Sequence, residues 1–592
     1  MINLPPALIY IAGALLIPLL PGRFKKAYML LLPVLGMYNL LNIPMGSHFQ
    51  VEFLDYHLVL GEMDRLARVF GIIFHIISLI TTIYVLNVDN DTEYVAGFCY
   101  SGAALGVILA GDLLSFFFFW EFLTVSSMFL ILANKKNPRA LPAAFRYTLI
   151  HALGGLLLLA GIVMHGHQTG TYAISSFGLD SPGSYLIFLG FGVNCAWPML
   201  HGWLTDAYPE STIGGAVFLS AFTTKTAVYA LARMFPGEIP LIWIGTAMAA
   251  FPIFFAVIEN DLRRVLAYSL INQVGFMVVG IGIGTELAIN GAIAHAFNDI
   301  IFKGLLFMSV GAVIYRTGKS NATDLGGLYK YMPITCACCI VGAASISAFP
   351  LFSAFISKSL VMSAAANQGL WVTWFVLLFA AAGVFHHAGI KIPFFTFYSH
   401  DPGWDPKETK EAPVNMLIAM GIAAFLCIFL GCYPKFLYSL LPFEVDYHPY
   451  TTGHVLGQLQ LLFFSAMAFT LLLLSGIYPA EMRSVNLDAD LLYRKGARLF
   501  YLAFDKGLNS LNTYVNANIA EGLTSWLSRF LAQGPARFSL ALVKPLWQLT
   551  GVQTRDPKDM EERFIRKFAD ANFSIGSTAV FALGLLLLFF IL

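Results

Sequence analysis

Charge is scarce in this chain. Asp, Glu, Lys and Arg make up 12% of its 592 residues, against 58% hydrophobic ones, a balance that excludes a string of soluble domains and points to segments that cross a bilayer. The formal net charge is +1 and the basic residues are scattered among loops, so no basic stripe marks a nucleic-acid surface. All seven cysteines lie within apolar runs, and Cys336-Ala337-Cys338-Cys339 lacks the paired spacing of zinc or iron–sulfur sites; they read as packing residues. Gly318-Lys319-Ser320 resembles the end of a phosphate loop, but the loop's first glycine is missing and no strand precedes it. With no haem pair, flavin fingerprint or soluble catalytic region either, the expectation is no cofactor, no metal and no enzyme by itself. The first apolar segment, Leu4 to Leu20, is followed by Arg23, Lys25 and Lys26 instead of being preceded by them, the reverse of a secretory signal, and reads as a retained helix.

What the chain has in abundance is apolar runs of about 20 residues. They predict an all-α polytopic membrane protein with about 14–16 transmembrane helices, at roughly 4–20, 28–43, 68–86, 94–110, 112–133, 145–165, 185–204, 211–233, 240–258, 264–283, 287–313, 333–363, 371–396, 412–433, 457–478 and 574–592. With the N-terminus outside, the inside loops hold Lys135, Lys136, Arg139, Arg263, Arg264, Arg316, Lys319 and others, whereas the outside keeps Arg65, Arg68, Arg233 and Lys435; the positive-inside rule thus supports a multi-pass protein of the cell's inner (cytoplasmic) membrane in that orientation.

Two spans look broken, the seventh by Pro198 and the twelfth by Ser347-Ala348-Phe349-Pro350. Proline removes helical hydrogen bonds, and interruptions in corresponding positions of two halves point to transporter sites. Residues 481–570 are more polar, yet Leu508, Leu511, Val515, Ile519, Leu523, Leu527 and Phe530 form one apolar stripe. That suits an amphipathic helix lying along the membrane surface or against other helices, with a loosely structured cytoplasmic linker as the plainer alternative. Residues 571–592 then read as a terminal anchor.

Glu121, Lys225, Asp299, Lys303, Lys358 and Lys391 sit inside apolar runs. A charge at the bilayer centre costs about 2.5–3.5 kcal/mol, so such residues normally face a hydrated interior and carry ions or protons. His295, Asp299 and Lys303 fall at i, i+4 and i+8, on one helix face, where Asp299 can pair with Lys303 and the imidazole can relay protons. A structural ion pair and an added proton or cation site both stay open. Lys391 reads equally as a snorkelling or a channel lysine. His201 and Asp206 flank one end of the seventh span, as a proton entrance or, for Asp206, a helix cap.

Five ordered motifs carry a resemblance: Phe119-Trp120-Glu121-Phe122; Trp203-Leu204-Thr205-Asp206-Ala207-Tyr208; Thr224-Lys225-Thr226-Ala227-Val228-Tyr229-Ala230; Arg263-Arg264-Val265-Leu266-Ala267-Tyr268-Ser269; and His295-Ala296-Phe297-Asn298-Asp299-Ile300-Ile301-Phe302-Lys303. The chain resembles the large subunits of Mrp-type cation/proton antiporters, the D-type ones above all, over roughly residues 60–400, and the related pumping subunits of respiratory complex I and membrane-bound hydrogenases. The resemblance implies two inverted five-helix repeats, 94–234 and 235–398, each a half-channel. They would be preceded by N-terminal helices (1–93) and followed by further membrane helices (399–480), the lateral helix on the cytoplasmic side and the anchor. It implies that Glu121 is the family's essential glutamate, Lys225 the lysine linking the half-channels, Lys303 a central-axis lysine and Lys358 the residue of the second broken helix.

Two departures stand out. The lysine that usually pairs with the glutamate is replaced by Asn194, and Asp299 stands where histidine is common. The function implied is proton translocation, possible partners being sodium ions, the lipid bilayer and other membrane subunits of an antiporter or respiratory-type complex, but no nucleic acid. The alternatives are a non-pumping structural subunit of a complex I/hydrogenase-like assembly, or an energy-coupling subunit for uptake of another solute such as inorganic carbon.

Overall fold

The computed structural model describes residues 4–54, 56–405, 407, 409–478, 481–482, 486–550, 556–569 and 582–586. The body Met1–Asp490 begins with α1 (Pro6–Leu16) and α2 (Gly22–Asn42), then a hairpin of β1 (Gly46–Phe53) and β2 (Tyr56–Met63). The hairpin pairs antiparallel with Phe53 opposite Tyr56. It lies where the sequence predicts an outside loop, and its strands alternate too weakly against a core to have marked it. Its anchor is Asp112, whose carboxylate accepts from Val59 N at 2.7 Å and from Leu114 N and Ser115 N at 2.9 and 2.8 Å. One side chain therefore holds the hairpin and caps a helix.

The helices that follow are α3 (Arg65–Val85), α4 (Asp91–Leu109), α5 (Leu113–Leu132), α6 (Ala140–Thr169), α7 (Pro182–Asn194), α8 (Gly202–Ala207), α9 (Ile213–Ala221), α10 (Thr223–Met234), α11 (Ile239–Ile258), α12 (Leu262–Ile283), α13 (Glu286–Thr317), α14 (Pro333–Ile346), α15 (Ser353–Asn367) and α16 (Trp371–Val384). The last continues through π turns on either side of α17 (Lys391–Pro393), before α18 (Val414–Cys432), α19 (Pro434–Tyr438) and α20 (Thr452–Leu474). Among the described residues, 11 helical stretches are long and apolar enough to cross a membrane. The chain is a polytopic helical membrane protein. Polar caps set the helix starts, as at Asp64, Ser181, Asp261 and Thr285, and left-handed glycines end α6, α12 and α13.

Both broken spans exist, and they are built alike. In the first, Trp197 N bonds Gly192 O and Ala196 N bonds Val193 O; in the second, Phe349 N bonds Ala344 O and Ala348 N bonds Ser345 O. Ala196 and Ala348 both have φ of 58°, followed past each proline by Met199 at 70° and Leu351 at 75°. Each half-helix thus ends in a left-handed turn closed by a bond across five residues, and proline stops it from resuming. A further break falls at Phe222, between α9 and α10, inside a span expected to be continuous.

The second unit, Leu491–Leu592, continues α21 (Asp490–Tyr501) through π turns and α22 (Asn509–Val515) into α23 (Glu521–Leu549) and then α24 (Pro557–Ala569). It is helical where a loose linker was the alternative. Leu508, Leu511, Ile519, Leu523 and Phe530 are exposed on it. The expected anchor at 571–592 lies outside the described residues, save for a helical turn at 582–586.

Candidate functional site: a buried row of charge

The centre of the row is an ion pair between elements distant in sequence. Lys225, on the first turn of α10, brings Nζ within 2.6 Å of Asp299 Oδ2 in the middle of α13, and both side chains are fully buried. The break before α10 matters here, because it frees Ser220 O to accept from the same Nζ at 2.9 Å. The expected Asp299 pairing with Lys303 on their shared helix is therefore corrected: α10 delivers an ammonium at direct contact. Lys303 turns to α12 instead, with Nζ 3.4 Å from Leu266 O. Desolvating two charges is costly unless the pair is close and its remaining hydrogens are satisfied, which the Ser220 carbonyl helps achieve.

Beyond the pair, α13 is stitched to α15. His295 Nδ1 and Ser357 Oγ lie 3.0 Å apart, and Asn298 Nδ2 donates to Ser353 O at 2.7 Å. Lys358, also on α15, donates to Ile346 O at 2.8 Å and stands 5.0 Å from the centre of the Phe276 ring. Ile346 is the last residue of α14, so the ammonium meets a carbonyl that the second break has released. Lys225, His295, Asp299, Lys303 and Lys358 thus lie together at the α10, α13 and α15 interfaces.

Glu121 is separate from this group. It is half-buried on α5, its Oε1 makes no hydrogen bond to the protein, and it packs so closely against Gly155 of α6 that a methyl there would collide with it. Asn194, fully buried, is bound by a residue that sequence reasoning missed: His151 Nδ1 lies 2.8 Å from Asn194 Oδ1. Its ring centre is 4.2 Å from that of Tyr147 and 4.4 Å from that of Trp203. Tyr147 and Tyr100 were missed as well. Their hydroxyls lie 2.8 Å from Ser127 Oγ and 2.6 Å from Thr223 Oγ1. The available signal was a histidine inside the apolar sixth span, spaced one turn from a tyrosine and one turn from a glycine.

The remaining candidates belong to a second polar cluster. His201 Nε2 lies 3.0 Å from both Asp488 oxygens, and Tyr268 donates to Asp488 at 2.7 Å. Burial pushes the Asp488 carboxyl up, but the bonds from His201 and Tyr268 outweigh it and hold the group below its ordinary value. Asp206 does not stand at an N-cap position. It lies within α8 and takes a two-pronged contact from Arg146 at 2.6 and 3.0 Å. Lys391 does not snorkel. Its Nζ is buried, donates to Val257 O and Glu259 O at 2.6 and 2.7 Å, and pairs with Glu481 at 2.8 Å. Among the described residues no cluster of His, Cys, Asp and Glu could hold a metal ion.

A polytopic helical bundle with two matched helix breaks surrounds a buried row of lysine and carboxylate. Residues 110–385 of the chain match the family described as NADH:quinone oxidoreductase/Mrp antiporter, TM. It is 26% identical over 425 residues to hydrogenase-4 component B of Escherichia coli (strain K12), covering 64% of this chain and 63% of that protein. To the A-type Na(+)/H(+) antiporter subunit of Alkalihalophilus pseudofirmus it is 29% identical over 423 residues, 63% of this chain and 52% of that one. It therefore spans between about half and two thirds of the length of these curated relatives. A chain in the structure of the Mrp complex from Dietzia sp. DQ12-45-1b shares the fold, with a TM-score of 0.75 at 23% identity over 91% of this chain and 63% of that one.

Proposed function

We propose that this chain is a proton-translocating membrane subunit of an Mrp-type sodium/proton antiporter or a related ion-pumping complex. Residues 94–234 and 235–398 act as two half-channels. Protons pass Glu121, cross the Lys225 and Asp299 pair, and continue by His295 and Lys303 toward Lys358. The observation that carries this reading is the wholly buried Lys225–Asp299 contact. It joins α10 to α13 beside a helix break, where a proton leaving Lys225 has a carboxylate to receive it and a freed carbonyl to steady the ammonium when it returns. His201, Asp206 and Lys391 hold the ends of the helices and orient them, and the N-terminus faces outside the cytoplasmic membrane. The partners are other membrane subunits, and the driving force is a sodium gradient or a redox module, in keeping with the antiporter and hydrogenase names of the relatives.

The test is proton flux in proteoliposomes containing the whole complex. Lys225→Ala is expected to abolish flux because it removes a proton carrier; it also leaves Asp299 without its ammonium and lowers stability, so flux is compared at equal amounts of assembled complex. Wild-type flux in that variant would overturn the reading. Glu121→Gln is expected to do likewise. A silent Glu121→Gln would favour a second reading, in which the first half is structural, because no protein cation sits on the Glu121 Oε1.

A further inference from the structure

His151 is almost completely buried on α6, and its surroundings are unequal at its two nitrogens. Nδ1 lies 2.8 Å from the amide oxygen of Asn194, which only accepts, so Nδ1 carries the hydrogen and Nε2 is left as a bare acceptor. Nε2 makes no hydrogen bond to the protein, and neither does Asn194 Nδ2. A histidine kept only for packing is ordinarily satisfied at both nitrogens when it is this deeply buried. This ring is instead oriented at one nitrogen and free at the other.

Its position along α6 gives that free nitrogen a use. Gly155, against which the Glu121 carboxylate packs, is one turn away in one direction. Tyr147 is one turn away in the other, its ring tilted against the imidazole with centres 4.2 Å apart, bonded to Ser127 and facing Thr223. Thr223 is two residues from Lys225 and is bonded to Tyr100 at 2.6 Å. Glu121, His151, Tyr147, Thr223 and Lys225 are thus neighbours in position on α5, α6 and α10, between the isolated glutamate and the central ion pair. The other titratable groups on the elements packed against α6 are Tyr185 of α7, Cys195 at its end and Asp206 of α8, the last engaged by Arg146.

We infer that His151, oriented by Asn194, is the proton carrier between Glu121 and Lys225. Nε2 takes the proton that the Glu121 carboxyl releases, forming an imidazolium beside the carboxylate left behind. It then gives the proton up from the same nitrogen toward the hydroxyls of Tyr147 and Thr223, and Nδ1–H stays on Asn194 throughout. The imidazolium and the carboxylate left behind attract each other across the α5–α6 contact.

This inference rests on the proton-transfer reading, so Lys225→Ala is measured beside it in the assembled complex. His151→Gln keeps an amide N–H for Asn194 but cannot carry a proton; flux is expected to fall about a hundredfold, the low end of what a positioned proton-transfer group contributes. Adding Asn194→Lys to His151→Gln places a new carrier in the same pocket and is expected to recover at least a tenth of the wild-type flux. A residue needed only for packing would not be rescued this way. Asn194→Ala, made on the opposite helix, leaves the imidazole in place without its orienting partner and is expected to lower flux by a smaller factor. Wild-type flux in His151→Gln alongside a dead Lys225→Ala would overturn the role of His151 alone. So would a double variant that assembles but is no better than His151→Gln. Wild-type flux in Lys225→Ala would overturn the parent reading instead.

Discussion

Removing the Asp299 carboxylate would leave the Lys225 ammonium uncompensated in the middle of the bundle, with only the Ser220 carbonyl as a partner. Breaking a buried pair from one side costs about 3–5 kcal/mol, whereas replacing both members by apolar side chains is often neutral. Asp299→Asn is therefore expected to lower both thermal stability and proton flux. Lys225→Met with Asp299→Leu should recover the stability without the flux, as thermal unfolding of the purified complex and liposome flux would show. Equal stability in the two variants would mean that the pair is not held as an ion pair. At this scale the sequence was informative about which ionisable residues lie within apolar helices, since each of the six was conspicuous in an apolar run. It was uninformative about partners. The i, i+4 spacing of Asp299 and Lys303 suggested a local pair, but the actual partner arrives from a helix more than 70 positions away, which no spacing rule on one helix can express. His151 and Tyr147 were hidden for a related reason, because a neutral ring in an apolar helix carries no charge signal.

Helix breaks are the element-scale device, and their geometry is under pressure from outside. A methyl at Gly431 of α18 would meet the backbone of Leu351 and Phe352 at the second break, and backbone cannot yield as a side-chain tip can. Gly431→Ala is accordingly expected to cost about 1–3 kcal/mol as overpacking and to lower flux by displacing the Ile346 carbonyl that Lys358 holds. Ala348 is expected to behave oppositely. It adopts φ of 58°, where a Cβ costs about 1–2 kcal/mol, so Ala348→Gly should raise the melting temperature of the complex; a fall would mean that the methyl's packing outweighs the strain. The breaks were legible because proline removes a helical hydrogen bond, although Pro33 in α2 and Pro252 in α11 are accommodated without a break, and the spans because apolar length is set by the bilayer. The interruption at Phe222 had no such marker. The hairpin at Gly46–Met63 was missed because its strands show no clean two-residue alternation of burial.

At the scale of the whole molecule, described residues after α20 close over four groups, in α12 and α17 and at the ends of α8 and α11. Glu481 binds Lys391 of α17, Asn486 binds Glu259 beyond α11, and Asp488 binds His201 and Tyr268. These contacts belong to the body that ends at Asp490, so a truncation that tests the remaining helices should begin at residue 491 to leave them intact. Deleting 491–592 is expected to loosen attachment to partner subunits more than it alters proton conduction, because the charged row lies before residue 400. Co-purification with a full set of partners would refute the bracing role of that unit. The clasp itself has a defined pH sense. A carboxyl held below its ordinary value contributes stability that is fully present above that ordinary value, about 3.9 for aspartate, and is lost as the pH falls through the lower folded value. The Asp488 contribution should therefore be constant across neutral and mildly acidic pH and disappear only in strong acid. Asp488→Asn removes it at every pH. Hydrogen exchange of residues 486–490 should accordingly be faster in Asp488→Asn than in the wild type between pH 5 and 8, and equal rates there would show that His201 and Tyr268 hold the segment without the carboxylate's charge.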